Sequence, residues 1–157
     1  MDRTGAPERE AWHEAGHAVI AHLLGGEVRE VTLESDDDAF EGRVTVIWPA
    51  GTAVEVAERS ARAALAGPLA ELARYEDELD PGAAEIRAAW TGDWAEVERC
   101  AAVCSPDPDR RTPLIERWFR DVSALLERED AESLIGRVAD ALDAHGTLDE
   151  TLFEDCL

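Results

Sequence analysis

Trp12, Ala15, Val19 and Leu23 recur three or four residues apart, so an apolar stripe runs along one helix near the start of the chain. Thr4-Gly5-Ala6-Pro7 predicts its beginning, with Pro7 suited to the first turn and Glu8 and Glu10 favoured by the positive end of the helix dipole. Gly25-Gly26 predicts its stop. The period then changes. Val28 to Glu34 alternates apolar and polar with one irregular step at Glu30 and Val31, while Gly42 to Trp48 alternates cleanly and sets Val44, Val46 and Trp48 on one face. The acidic segment Ser35-Asp36-Asp37-Asp38 between them reads as a hairpin loop, and Pro49-Ala50-Gly51 ends the second strand.

Beyond this the pattern is helical. An alanine-rich stretch from about Thr52 to Glu78 contains Pro68, which is expected to kink it or split it in two. Asp80-Pro81-Gly82 reads as a turn, followed by a short helical piece from Ala83 to Trp90 and a helix from about Asp93 to Cys104. Ser105-Pro106-Asp107-Pro108 breaks the chain again. Helices are predicted over about Pro113 to Leu126 and Ala131 to His145, with Gly146 as a stop and Thr147-Leu148-Asp149-Glu150 opening a short last helix. No repeat or low-complexity linker divides the chain. The expectation is one domain over 1–157, mainly α (α+β), with a small antiparallel β-hairpin or sheet.

Composition narrows the partners. The chain has 157 residues, enough for one core, and 36 acidic against 15 basic residues give a formal net charge of −21. Such a surface repels phosphate backbones and anionic lipid, which argues against nucleic-acid binding. No apolar run approaches the ~18 residues needed to span a bilayer, and the first residues lack the basic start and apolar core of a signal peptide. The three cysteines, Cys100, Cys104 and Cys156, form no dense framework; with the missing signal peptide they point to a reducing, cytoplasmic setting. Cys100 and Cys104 lie four apart on a predicted helix, where core packing explains them.

One pentapeptide carries chemistry. His13-Glu14-Ala15-Gly16-His17 fits His-Glu-x-x-His and falls inside the first predicted helix. Residues four apart lie on one helix face, so His13 and His17 can reach a single metal ion while Glu14 falls beside the open coordination position as a general base. His22 is rotated by about 140° from His17 on that helix and is a poor third ligand. The plain alternative is a helix with two hydrogen-bonded histidines and no metal. A catalytic zinc site needs a third protein ligand, and spacing alone does not choose it among the acids.

Ala11-Trp12-His13-Glu14-Ala15-Gly16-His17-Ala18-Val19 resembles the peptidase motif of the FtsH-type ATP-dependent zinc proteases, the M41 peptidase family. Further segments follow in the same order. Glu30-Val31-Thr32-Leu33 and Glu41-Gly42-Arg43-Val44-Thr45 are similar to that family's short strands. Leu65-Ala66-Gly67-Pro68-Leu69-Ala70-Glu71 resembles its Leu-Gly-Gly-Arg-x-Ala-Glu helix, with Pro68 where the family has arginine. Thr91-Gly92-Asp93-Trp94 resembles its Ser-Asn-Asp-Leu segment, with Gly92 in place of asparagine, and Leu142 to Leu152 looks like its closing helices.

The resemblance implies a helical, zincin-like metallopeptidase domain in which His13, His17 and Asp93 hold Zn²⁺ and Glu14 is the catalytic base. It also implies that Glu71 lies near the histidines, where it can accept a ring N–H from a ligand histidine. Read without it, Asp93-x-x-Glu96 is a capping box and Glu71 an exposed helix residue. A chain without lysine holds no Gly-x-x-x-x-Gly-Lys phosphate loop, and nothing before the motif reads as a membrane anchor, so ATP-driven unfolding does not carry over. The expected function is that of a stand-alone zinc metalloendopeptidase acting on peptides or unfolded segments, with substrate supplied freely or by a partner protein. The alternatives are a metallopeptidase-like binding or regulatory module that retains zinc with little turnover, and a helical interaction protein without metal.

Overall fold

The computed structural model describes residues 5–33, 42–75 and 90–157. In chain order these form α1 (Gly5–Leu23), β1 (Glu27–Thr32), β2 (Arg43–Ile47), α2 (Ala53–Tyr75), α3 (Thr91–Cys104), a 3-10 turn (Pro108–Arg110), α4 (Arg111–Leu126), α5 (Glu129–His145), β3 (Thr147–Asp149) and α6 (Glu150–Glu154). The fold is mainly α with a small antiparallel sheet, consistent with a zincin-like α+β architecture. The expected Ser35–Asp38 loop, the Asp80–Gly82 turn, the helical piece from Ala83, Glu41, and the last residues of the helical stretch expected to reach Glu78 lie outside the described residues.

α1 is the central element. It packs on α2, on α5 and on the sheet, and its alanines permit that crowding: Ala11, Ala15, Ala18 and Ala21 are all buried. At the α1–α2 crossing Gly16 has no room for a side chain, since a Cβ there would lie 2.7 Å from Ala70 Cβ and 3.0 Å from the Ala66 carbonyl. Two apolar clusters flank α1. One joins it to the sheet, α5 and α6 through Val19, Val31, Leu142, Leu148 and Phe153. The other joins Ile20 to α2, α3 and α4 through Leu65, Leu69, Val97, Trp118 and Val122.

The sheet order is β2-β1-β3. β1 runs antiparallel to β2, from Glu27 opposite Ile47 to Thr32 opposite Arg43, with a shift of register between Val28 and Glu30. That shift is the irregular step in the sequence alternation. The extra residue lets Val28 and Val31 both face the core, where a strict two-residue period would turn one outward. On β2, Val44, Val46 and Trp48 face inward as the alternation predicts, while Arg43, Thr45 and Ile47 are exposed.

One expectation is narrowed and another corrected. Of the two outcomes expected at Pro68, a kink or a split, the split does not occur: one helix runs from Ala53 to Tyr75. An internal proline costs about 3 kcal/mol or more. Here residues 63 to 72 are buried on all sides against α1, α3 and α4, and that burial outweighs the lost backbone hydrogen bond. Thr147-Leu148-Asp149 is a strand, not the start of the last helix. Gly146 ends α5 with φ +76° and its N–H on the Leu142 carbonyl, which turns the chain alongside β1. There Thr147 meets Thr32 through their hydroxyls at 2.7 Å, and Leu148 is fully buried. The helix starts only at Glu150, after Asp149 caps it by accepting the Leu152 N–H at 2.8 Å. No described helix is long and apolar enough to cross a membrane.

Candidate metal centre

α1 carries His13 and His17 one turn apart, with ring centroids 4.8 Å from each other and planes at 78°. Each ring is fixed through Nδ1. His13 Nδ1–H donates to Glu71 Oε1 at 2.8 Å, and His17 Nδ1–H donates to the Ala63 carbonyl at 2.7 Å. A carbonyl only accepts, so the neutral His17 ring must carry its proton on Nδ1 and present a lone pair at Nε2; the Glu71 carboxylate sets the same tautomer on His13.

Both lone pairs aim at one place. The two Nε2 atoms are 3.1 Å apart, and Asp93 brings Oδ2 to 2.9 Å from His13 Nε2 and Oδ1 to 3.2 Å from His17 Nε2. Two imidazole lone pairs and a carboxylate converging at this range repel one another unless a proton or a cation lies among them. Ligands ~2.0–2.1 Å from a tetrahedral zinc are about 3.3 Å from each other, close to the observed separations, and the N, N, O donor set suits that metal. His13, His17 and Asp93 therefore form a cluster able to chelate a metal ion.

Asp93 arrives through α3, which starts at Thr91 after Trp90. The capping-box reading is not realised: Asp93 sits within the first turn with its carboxylate on the histidines, and Glu96 instead accepts from Ser60 and Arg99. Glu71 is buried, not exposed. Its Oε1 also accepts from Trp90 Nε1 at 3.3 Å, and its Oε2 accepts from Arg9 Nε at 2.5 Å.

The electrostatics follow from these contacts. Burial opposes a charge on His13, but the hydrogen bonds to Asp93 and Glu71 outweigh it and raise its pKa to about 10. Burial likewise opposes charge on His17, and the Asp93 carboxylate reverses the balance and raises it. For Asp93, burial is outweighed by the histidines, which hold it well below the usual carboxylate range. Glu71 is also lowered, its burial outweighed by the His13 and Arg9 hydrogen bonds. Glu14 goes the other way. Its burial raises it, and the histidines offset this only in part.

Glu14 makes no hydrogen bond among the described residues and lines a groove of about 740 Å³. Gly42 presses against it; a Cβ there would lie 2.7 Å from Glu14 Cγ. The groove is lined by the His13–His17–Asp93 cluster, by Val44 and Val46 of β2 and by Trp48 just after it. His22 is turned away, edge-on to Phe153. Cys100 is buried in the second apolar cluster, and all three cysteines are free thiols.

Sequence reasoning missed three contributors. The Ala63 carbonyl is backbone and leaves no signal. Trp90 and Arg9 do leave one: Trp90 stands three residues before Asp93, and Arg9 one helical turn before His13. No protein-family model matches this chain, and no curated protein matches it either.

Proposed function

We propose that the chain, 1–157, is one zincin-like metallopeptidase domain resembling the peptidase part of the FtsH-type M41 proteases, with His13, His17 and Asp93 as Zn²⁺ ligands. The observation that supports this most strongly is the convergence of His13 Nε2, His17 Nε2 and the Asp93 carboxylate in a groove that Glu14 also lines. Zinc at such a site supplies Lewis-acid polarisation of a scissile carbonyl and acidifies a water.

The chain's own groups do the rest. Glu14, raised by burial and free of hydrogen-bond partners among the described residues, is suited to take a proton from that water and return it to the leaving amine. Glu71 keeps the His13 proton on Nδ1 and so keeps Nε2 available. Among the described residues β2 is an edge strand, suited to pairing with an extended peptide whose alternate side chains meet Val44, Val46 and Trp48. The substrate class is peptides or unfolded segments, since only an extended chain pairs with such an edge.

The test measures bound zinc and casein or peptide cleavage for the wild type and Glu14→Gln. Cleavage by the wild type, lost with zinc retained in the variant, supports the peptidase. Zinc in both proteins without cleavage in either favours a binding or regulatory module. Absence of zinc from both overturns the metal centre.

A further inference from the structure

Arg9 lies one helical turn before His13 and takes no direct part in the cluster. Its Nε–H donates to Glu71 Oε2, while Glu71 Oε1 holds His13 Nδ1 and Trp90 Nε1. The guanidinium is itself restrained, centred 5.0 Å from the Tyr75 ring centroid. Glu71 therefore has one oxygen for the metal-site histidine and one for Arg9, and its side chain is only 12% exposed against 35% for Arg9.

That burial creates a difficulty which Arg9 resolves. Glu71 is a buried carboxylate in a groove lining that also holds Glu10, Glu14 and Asp93. An unpaired carboxylate there would rotate toward water, which weakens its hold on the His13 N–H. A charge-assisted hydrogen bond from Arg9 fixes the carboxylate plane. Trp90 donates to the same oxygen as His13 and so orients Glu71 but brings no charge.

We propose that Arg9 is a positioning residue of the metal centre, acting on His13 solely through Glu71. The inference rests on the metal-site reading above. It extends the chain of support from the ion outward across two elements: His13 on α1, Glu71 on α2, and back to Arg9 on α1.

A double-mutant cycle tests it, read by zinc affinity in chelator competition and by the visible absorption of the Co²⁺-substituted protein, with circular dichroism as the check on folding. Arg9→Gln is expected to weaken zinc binding about tenfold, the lower end of what outer partners of ligand histidines contribute. It should also shift the Co²⁺ bands. In a Glu71→Gln background the same change is expected to have no further effect on affinity or spectrum. Arg9→Lys keeps the charge without the fixed guanidinium plane and should fall between wild type and Arg9→Gln. It takes the place of Arg9→Gln in the cycle should the latter not fold.

Equal loss of affinity in both backgrounds would overturn the proposal, because Arg9 would then act independently of Glu71. So would unchanged affinity and spectrum in Arg9→Gln. Failure of the wild type to bind zinc would instead overturn the metal centre itself, a result distinct from either.

Discussion

Gly67 lies directly against the imidazole of His17: a Cβ built on Gly67 would stand 2.3 Å from His17 Nε2 and 2.6 Å from Cε1. His17 Nε2, the nitrogen turned toward His13 and Asp93, is thus backed by bare α2 backbone, while the opposite ring nitrogen is tied to the same helix at Ala63. Gly67→Ala is expected to push the ring off its position, destabilising the protein by about 1–3 kcal/mol through overpacking. Zinc affinity should fall with it. Gly136 in α5 supplies the control, because a Cβ there meets only Trp12 at 3.9 Å. Gly136→Ala should stabilise by about 0.5–1 kcal/mol, the ordinary gain of alanine over glycine inside a helix. Urea titrations of both variants check the opposite signs, and zinc competition checks that only Gly67→Ala harms the site.

The contrast shows what was legible in the sequence. His13, Glu14 and His17 are readable because four-residue spacing on a helix has one geometric meaning. The β1 bulge is readable too, as a break in alternation. At Pro68 a split helix stays open because local propensity takes no account of the burial that α2 gains on three sides. Thr147 to Asp149 misleads because the strand exists only through its pairing with β1, a partner 115 residues away at Thr32. Asp93 could not be singled out by spacing. What sets it apart from 35 other acids is where α3 docks, and that depends on contacts between Val97, Leu65 and Trp118 far from the motif.

Removal of a ligand is expected to cost more than removal of a support. Asp93→Ala leaves His13 and His17 facing an opened site and deletes the one carboxylate of the candidate cluster among the described residues. Zinc affinity should drop by more than about 100-fold, beyond the range typical of outer partners. Glu71→Gln retains an oxygen for the His13 N–H and should lose about 10- to 100-fold. Chelator competition on the two variants gives the order. Equal losses would mean that Asp93 is a hydrogen-bond partner of the histidines and not a ligand.

Metal binding should also stabilise the fold by mass action, since the cluster draws together α1 and α3, distant in sequence. At free zinc a hundredfold above Kd the gain is about 2.7 kcal/mol. For a chain of this size that raises Tm by roughly 5–10 °C. EDTA should reverse the shift, and Asp93→Ala should abolish it. A wild-type melting curve that is indifferent to zinc and EDTA would contradict a specific site.

Groove recognition is separable from metal binding at Trp48. Its ring lines the groove beside β2, lies against Gly26, where a Cβ would be 2.9 Å from Cζ3, and has the Arg59 guanidinium centred 5.8 Å from its centroid. It is not one of the three candidate ligands His13, His17 and Asp93. Trp48→Ala removes a rigid apolar surface from the path of an extended peptide but leaves His13, His17, Asp93 and Glu14 in place. The expected result is a KM raised several-fold with kcat and zinc content near wild type, the signature of lost binding that is uniform between ground and transition states. A matching fall in kcat at unchanged KM would mean that Trp48 acts on the reacting bond. The peptide would then cross the groove without using the β2 edge.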